Sequence, residues 1–253
     1  MTLVILVTTY IPPGGALRLE AVERTAGSWI EYLKYDGDIH VHIADDGSGP
    51  DLDVEGFWRS LVGDWATLSF SRQERQGVGA SLNTGLRICH EIAPITLLTV
   101  DDWALIHPLD VTPWHQVLAK YPAVGCVMLG VSDPGMRGGQ LLRWKLDTLA
   151  AATVSWERYR CYWNMKPALY HKRFFDAYGP LPERASAVDV DKIYNKHVCS
   201  SKGPTVELAL LHPWRHIWSI ELGDIEPGQA IPEDRLRGKV HAGVYPIPPR
   251  RVQ

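Results

Sequence analysis

Cysteine is scarce and scattered in this 253-residue chain: Cys89, Cys126, Cys161 and Cys199 stand far apart, with no Cys-x-x-Cys pair. That spacing argues against a zinc knuckle and for reduced thiols. Long apolar runs are missing too. No stretch approaches transmembrane length, and Leu3-Val4-Ile5-Leu6-Val7 is too short for a secretory signal core with its flanks. The expectation is a soluble cytoplasmic protein with no membrane partner. Charge of one sign is also lacking. A formal net charge of −3 means that nothing global attracts nucleic acid or an acidic membrane, which leaves only local basic patches. No internal repeat, no low-complexity tract and no Gly-Lys-Ser/Thr triplet of a Walker loop is found.

What is present is an ordinary globular balance, 45% apolar and 22% charged, ample for one large α/β domain or two joined halves. Tryptophan departs from the ordinary. Ten of them supply flat aromatic surfaces, which fill cores but also stack on sugars and bases.

Thr2 to Thr9 is continuously apolar and β-branched, as a strand covered on both faces would be. Pro12-Pro13-Gly14-Gly15 breaks it, and helical spacing follows from Ala16 to Tyr35. Asp38 to Ala44 reads as a strand, Leu52 to Val62 as a helix and Trp65 to Ser71 as a strand. Gly77-Val78-Gly79 opens a helix through His90, and Ile95 to Val100 is a strand ending in Asp101-Asp102. This β-α alternation with short loops predicts a mainly parallel sheet with helices on both faces. Right-handed crossovers then bring Thr8-Thr9, Asp45-Asp46 and Asp101-Asp102 to one sheet edge.

Farther on the pattern loosens. Pro113 to Lys120 reads as a helix, Ala123 to Val131 as a strand, and 132–148 as a loop or hairpin. Ala152 to Tyr162 reads as a strand pair or an edge, Pro167 to Tyr178 and Asp189 to Cys199 as helices, and Val206 to Leu211 as a late strand. The expected organisation is a first half over 1–110, a second half over 111–222 and an extended tail over 223–253.

Three segments carry the chemistry. Asp101-Asp102 at a strand tip places two mutually repelling carboxylates at a sheet edge, which calls for a cation. A divalent metal holding a diphosphate would supply it. Ala44-Asp45-Asp46-Gly47-Ser48 gives acceptors at a tight turn, suited to a base edge or a ribose hydroxyl, or to a plain Asx turn. Arg75 to Gly85 has a glycine-rich helix start, but Leu82 stands where a dinucleotide fingerprint needs its third glycine.

Together with Val7-Thr8-Thr9-Tyr10, Asn83-Thr84-Gly85 and Val100-Asp101-Asp102-Trp103, these segments resemble family 2 glycosyltransferases of the GT-A fold. The resemblance covers roughly the first 110 residues and is most similar to bacteriophage-encoded members. It implies a Rossmann-like α/β sheet plus a smaller acceptor-side region, and transfer of a hexosyl group from a nucleotide-diphosphate donor, UDP-sugar first. It also implies a Mn or Mg cofactor. By this resemblance Thr8, Thr9, Tyr10, Asp45 or Asp46, Gly77, Asn83, Asp101, Asp102 and Trp103 line the donor site. Asp102 is the preferred metal ligand, with His216 as a late second ligand. Asp191, then Asp189, is the base that takes the acceptor proton. The Asp-Asp-Trp element departs from the family's Asp-x-Asp, so a partly water-mediated metal site is expected. Trp103, Trp163, Trp214 and Trp218 are candidates to stack on sugar or acceptor.

The acceptor is not written in the sequence. A hydroxymethylated DNA base is one candidate, motivated by Arg235, Arg237, Lys239, Arg250 and Arg251 in the tail. A virion protein or another glycan is the alternative, and the compartment is host cytoplasm if the chain is phage-encoded. A nucleotidyltransferase is a further reading, opposed by the absence of Lys or Arg within Pro12-Pro13-Gly14-Gly15; a non-catalytic nucleotide-sugar binder is another. Donor base, anomeric outcome and oligomeric state stay open.

Overall fold

A computed structural model describes residues 1–105, 107–129, 163 and 165–206 with their side chains, and the backbone of 142–145, 155–159, 207–209 and 214–216. The readings for the remainder of 132–148, for the tail beyond 222 and for the side chains of Trp214, His216 and Trp218 lie outside the described residues.

The first half alternates as expected: β1 (Thr2–Thr9), α1 (Ala16–Tyr32), the short β2 (Leu33–Lys34), β3 (Asp38–Asp45), α2 (Val54–Val62), β4 (Thr67–Arg72), α3 (Val78–Ile92) and β5 (Ile95–Val100). Two short strands follow, β6 (Trp103–Leu105) and β7 (Leu109–Asp110), then α4 (Thr112–Lys120) and β8 (Val124–Met128). The later elements are β9 (Leu142–Lys145), β10 (Ser155–Tyr159), β11 (Ala168–His171), α5 (Lys172–Tyr178), α6 (Ala187–Ser200), β12 (Thr205–Ala209) and β13 (Trp214–His216).

One sheet runs β4-β3-β1-β5-β11-β8-β12-β10-β9. Its first four strands are mutually parallel, β11 is antiparallel to both neighbours, and β8 and β12 are again parallel to each other. Strand β1 explains the sandwich. Leu3, Ile5 and Val7 face a core built with Val22, Ala26 and Trp29 of α1, Val54, Trp58 and Val62 of α2, and Trp114, Val117 and Leu118 of α4. Val4 and Leu6 face the other core, with Leu82 and Leu86 of α3, Phe174 and Tyr178 of α5, and Val190, Tyr194 and Val198 of α6. Because alternate residues enter opposite cores, the stretch from Leu3 to Val7 has no polar position to spare.

Two expectations need correction. The first helix stops at Tyr32 rather than Tyr35, because Leu33 and Lys34 pair with Leu109 and Asp110. The span from Pro167 to Tyr178 is not one helix: Ala168 to His171 are β11, wedged between β5 and β8, and only Lys172 onward is helical. Both corrections come from long-range pairing that overrides local spacing. Trp163 is core, buried and edge-on to Tyr194 at 4.9 Å.

After β1 the chain steps outward through β3 and β4, then returns to lay β5 on the opposite side of β1. Connections leaving neighbouring parallel strands in opposite directions open a crevice at their carboxyl ends. That crevice lies between Thr8-Thr9 and Val100-Asp101-Asp102.

Candidate functional site

A cleft of about 500 Å³ occupies this switch point. Thr8, Thr9 and Tyr10 line it from β1 and the residue after it, Val100, Asp101 and Asp102 from the end of β5, Trp103 from the start of β6, and Asp46 from the loop after β3. Arg18 reaches in from α1, Val78 and Ser81 from α3, Met165 and Lys166 from the segment before β11, and Ala187, Val188 and Asp191 from α6. The contributions of α1, α3 and α6 all come from their first turn or two, where unpaired N–H groups and the helix dipole favour an anion.

The predicted convergence is met by direct bonds. Asp46 N donates to Thr9 O at 2.9 Å, and the Thr9 hydroxyl donates to Asp101 Oδ2 at 2.5 Å. Ile11 N donates to Ser48 Oγ at 2.8 Å, tying the loop after β1 to the turn after β3. Gly47 makes that turn at φ +77°, and a Cβ there would stand 2.8 Å from Arg75 N.

The adjacent acids Asp45 and Asp46 have different tasks. Asp45 accepts from Ser48 N at 3.0 Å and from the Ser48 hydroxyl, and pairs with Arg72. It is buried and is not part of the cleft lining. Asp46 lines the cleft while accepting from Gln76 N at 3.0 Å, Gly77 N at 3.0 Å and Gln73 Nε2 at 2.9 Å. It thereby fixes the entry to α3. Gly77 belongs to that entry, and Asn83 is turned away to Leu181, donating to its carbonyl at 3.0 Å and accepting from its N–H at 2.9 Å. Neither Gly77 nor Asn83 lines the cleft. Tyr10 lies under the Arg75 guanidinium, 4.0 Å from ring centroid to Cζ, with Arg75 Nη1 donating to its hydroxyl at 2.9 Å.

Asp101 and Asp102 are buried, 1% and 7% exposed, and the sequence reading missed their partner. Arg18 donates through Nη1 to Asp102 Oδ2 at 2.9 Å and through Nη2 to Asp101 Oδ1. Burial nevertheless pushes the Asp101 carboxyl up to about 6, with Asp102 adding to the rise while Arg18 and Thr9 oppose it. One signal for Arg18 was available. It sits in the first turn of α1, a turn without an acid, where the helix dipole disfavours a cation.

Asp191, which lines the cleft from α6, accepts from Met165 N at 2.9 Å. Burial pushes its carboxyl up to about 6, against the Met165 N–H and the Lys166 charge. Asp189 is instead engaged with the N-cap Ser186, whose hydroxyl donates to its carboxylate at 2.7 Å and accepts from its N–H at 3.2 Å, and it is absent from the lining. Strand β13 pairs His216 with Trp103 in backbone register, which brings that residue to the cleft's rim; its side chain is outside the described residues.

Among the described residues no group of three or more His, Cys, Asp or Glu gathers to hold a metal ion. Two adjacent carboxylates do suit a hard divalent ion that completes its shell with phosphate oxygens, as Mg²⁺ does. The donor set therefore fits a metal shared with a nucleotide, with Asp101 and Asp102 as the protein's contribution. No helix among the described residues is long and apolar enough to cross a membrane.

No family model and no curated protein matches the chain. Solved structures do. TarS 1-349 of S. aureus in complex with UDP-GlcNAc aligns at TM-score 0.51 and 14% identity, covering 89% of this chain and 62% of its own. TarS itself aligns at 0.52 and 13%, covering 90% and 41%. GalNAc-T7 with UDP, GalNAc and Mn²⁺ aligns at 0.52 and 13%, covering 84% and 44%. The chain thus spans between about two fifths and three fifths of those chains' length. These are GT-A glycosyltransferases, and the mixed α/β chain, with its mainly parallel central sheet, has their fold.

Proposed function

We infer that the chain transfers a glycosyl group from a nucleotide-diphosphate sugar to an acceptor hydroxyl. The observation that carries this reading is the cleft itself: paired carboxylates at the switch point and a half-buried carboxylate of raised pKa line one space large enough for a nucleotide sugar. The complexes of the similar structures, UDP-GlcNAc with TarS and UDP with Mn²⁺ with GalNAc-T7, support it.

In this reading Thr8, Thr9, Tyr10 and Asp46 receive the nucleoside, with the Tyr10 ring offered to the base. Asp102, with Asp101 beside it, would hold Mn or Mg, and His216 stays the late ligand that the sequence motif suggests. Such an ion, when bound, offsets the diphosphate charge and assists its departure. Asp191 takes the proton of the acceptor hydroxyl as the oxygen bonds to the sugar's anomeric carbon. The bond from that carbon to the diphosphate breaks, and the nucleoside diphosphate leaves with its electron pair. Asp189 is the weaker candidate for the base, because its carboxylate is engaged with Ser186. Trp103 is the cleft's aromatic wall for the sugar.

Family 2 membership and a phage-encoded origin belong to the same reading and rest on the sequence motifs. A hydroxymethylated DNA base as acceptor rests on the basic residues between Arg235 and Arg251, which lie outside the described residues. Truncation after Gly223 tests it by duplex binding at low salt. The function is tested by incubating the protein with UDP-, GDP- and TDP-sugars and Mn²⁺. Release of nucleoside diphosphate from one of them, with Mn²⁺-dependent thermal stabilisation, is expected. Stabilisation without turnover across a broad acceptor panel would leave a nucleotide-sugar binder, and neither effect would end the proposal.

A further inference from the structure

The carboxylates at the end of β5 already have a cation. Arg18 spans both of them with one N–H from each terminal nitrogen, its side chain is 21% exposed, and its Nε has no hydrogen-bond partner. A divalent ion bound to the same carboxylates would meet this guanidinium at contact distance. Two like charges so close in a partly buried site repel strongly. The ion and Arg18, as placed, exclude each other.

The charges lining the cleft favour joint arrival of metal and diphosphate. Among the described residues lining it, two are cationic, Arg18 and Lys166, and four carry carboxylates, Asp46, Asp101, Asp102 and Asp191. A diphosphate arriving alone adds negative charge to a lining that is already negative. A metal arriving alone displaces Arg18 from its carboxylates and gives it nothing in return. Arriving together, the metal takes the carboxylates and the diphosphate takes the guanidinium. Arginine suits this exchange because its planar fork binds carboxylate and phosphate with the same geometry.

Resting on the glycosyl-transfer reading above, we propose that Arg18 is an exchangeable counter-ion. It neutralises Asp101 and Asp102 in the free protein and passes to the diphosphate when a metal–nucleotide complex enters. The long side chain, anchored in the first turn of α1, makes this exchange by rotating about its own bonds. Metal and nucleotide then bind with positive coupling, and by linkage each tightens the other by the same factor. A free metal ion is bound poorly, because it competes with a tethered guanidinium.

The test measures Mn²⁺ binding by electron paramagnetic resonance, with and without UDP, in the full chain and in Arg18→Gln and Arg18→Lys. For the unaltered protein, saturating UDP is expected to tighten Mn²⁺ binding by about tenfold, and Mn²⁺ to tighten UDP binding equally. Arg18→Gln is expected to bind Mn²⁺ alone about tenfold more tightly than the unaltered protein, with the coupling to UDP reduced. Arg18→Lys keeps the charge without the fork; it remains a readable variant if the glutamine protein fails to fold, and its behaviour should lie between the two. Folded variants that bind Mn²⁺ no more tightly than the unaltered protein, beside intact UDP binding, overturn the exchange and leave the function standing. UDP binding of equal strength in EDTA also overturns it, since Arg18 would then be a fixed substitute for the metal. Absence of UDP, GDP and TDP binding from all three proteins, with or without Mn²⁺, overturns the glycosyl-transfer reading itself.

Discussion

Replacing Asp191 by asparagine should make the protein more stable and nearly inactive. Burial raises this carboxyl from 3.8 to about 6, and the opposing Met165 N–H and Lys166 charge do not cancel it. The folded pKa lies above the unfolded one, so the native state binds more protons between about pH 4 and 6, and stability falls as pH rises through that window. Above it the ionised carboxylate is a standing cost. Two pKa units correspond to about 3 kcal/mol at 1.36 kcal/mol per unit. Asp191 is only half-buried, and solvent screening cuts this to about 1–2 kcal/mol. Asparagine removes the charge and keeps an oxygen for the Met165 N–H. Urea unfolding at pH 7.5 should therefore show Asp191→Asn more stable by about 1–2 kcal/mol, the gap closing near pH 4 where the parent carboxyl is protonated. Glycosyl transfer should fall by about 10²–10⁴-fold, the usual contribution of a positioned base, with UDP affinity retained. In the parent protein kcat/KM should fall as pH drops below about 6, because the base must be ionised to accept a proton. A stability gap that does not vary with pH, or transfer within tenfold of the parent, would refute the assignment.

Asp46→Ala removes the acceptor for two backbone N–H groups and the Gln73 amide. It should cost about 3 kcal/mol in denaturant unfolding and raise the KM for donor, as charge-assisted bonds at the entry to α3 are lost. Gly79→Ala drives a Cβ into the Pro182 carbonyl, which is backbone and yields poorly. A loss of about 1–3 kcal/mol by thermal melting is expected, with faster amide exchange at the start of α3. Trp58 is fully buried and stacks on Trp29 with ring centroids 6.2 Å apart. Trp58→Ala should cost about 3–5 kcal/mol by chemical denaturation, while Mn²⁺ and UDP affinities change little because the pair lies outside the cleft lining.

What the sequence made legible was whatever depends on neighbours along the chain. The apolar runs of β1 and β5, the breaks between them and the β-α alternation are local patterns, and together with the rule of right-handed crossovers they predict one edge for Thr8-Thr9, Asp45-Asp46 and Asp101-Asp102. The Asp46–Thr9 and Thr9–Asp101 bonds realise it. Pairing between distant segments was not legible. Ala168-Leu169-Tyr170-His171 is a four-residue strand lying between two others, and so short a run shows neither a period of two nor one of 3.6. The choice between Asp45 and Asp46 was equally closed, since adjacent residues leaving a strand point to different sides and only the fold says which side is the cleft.

The same limit explains Arg18. Two contiguous carboxylates announce a need for positive charge, and that need can be read from the residues alone. Its source cannot, because a side chain 83 residues upstream and a divalent ion satisfy the local requirement equally well. The first turn of α1 held the only hint: a cation placed against the helix dipole, costing about 0.3–1 kcal/mol unless something nearby compensates. The carboxylates of Asp101 and Asp102 compensate it fully. Two features that are each unfavourable in isolation, the acid pair at a strand tip and the arginine at a helix start, become favourable only as a pair. A ligand able to satisfy both separately is then the natural agent for parting them, and a metal-bound diphosphate is such a ligand.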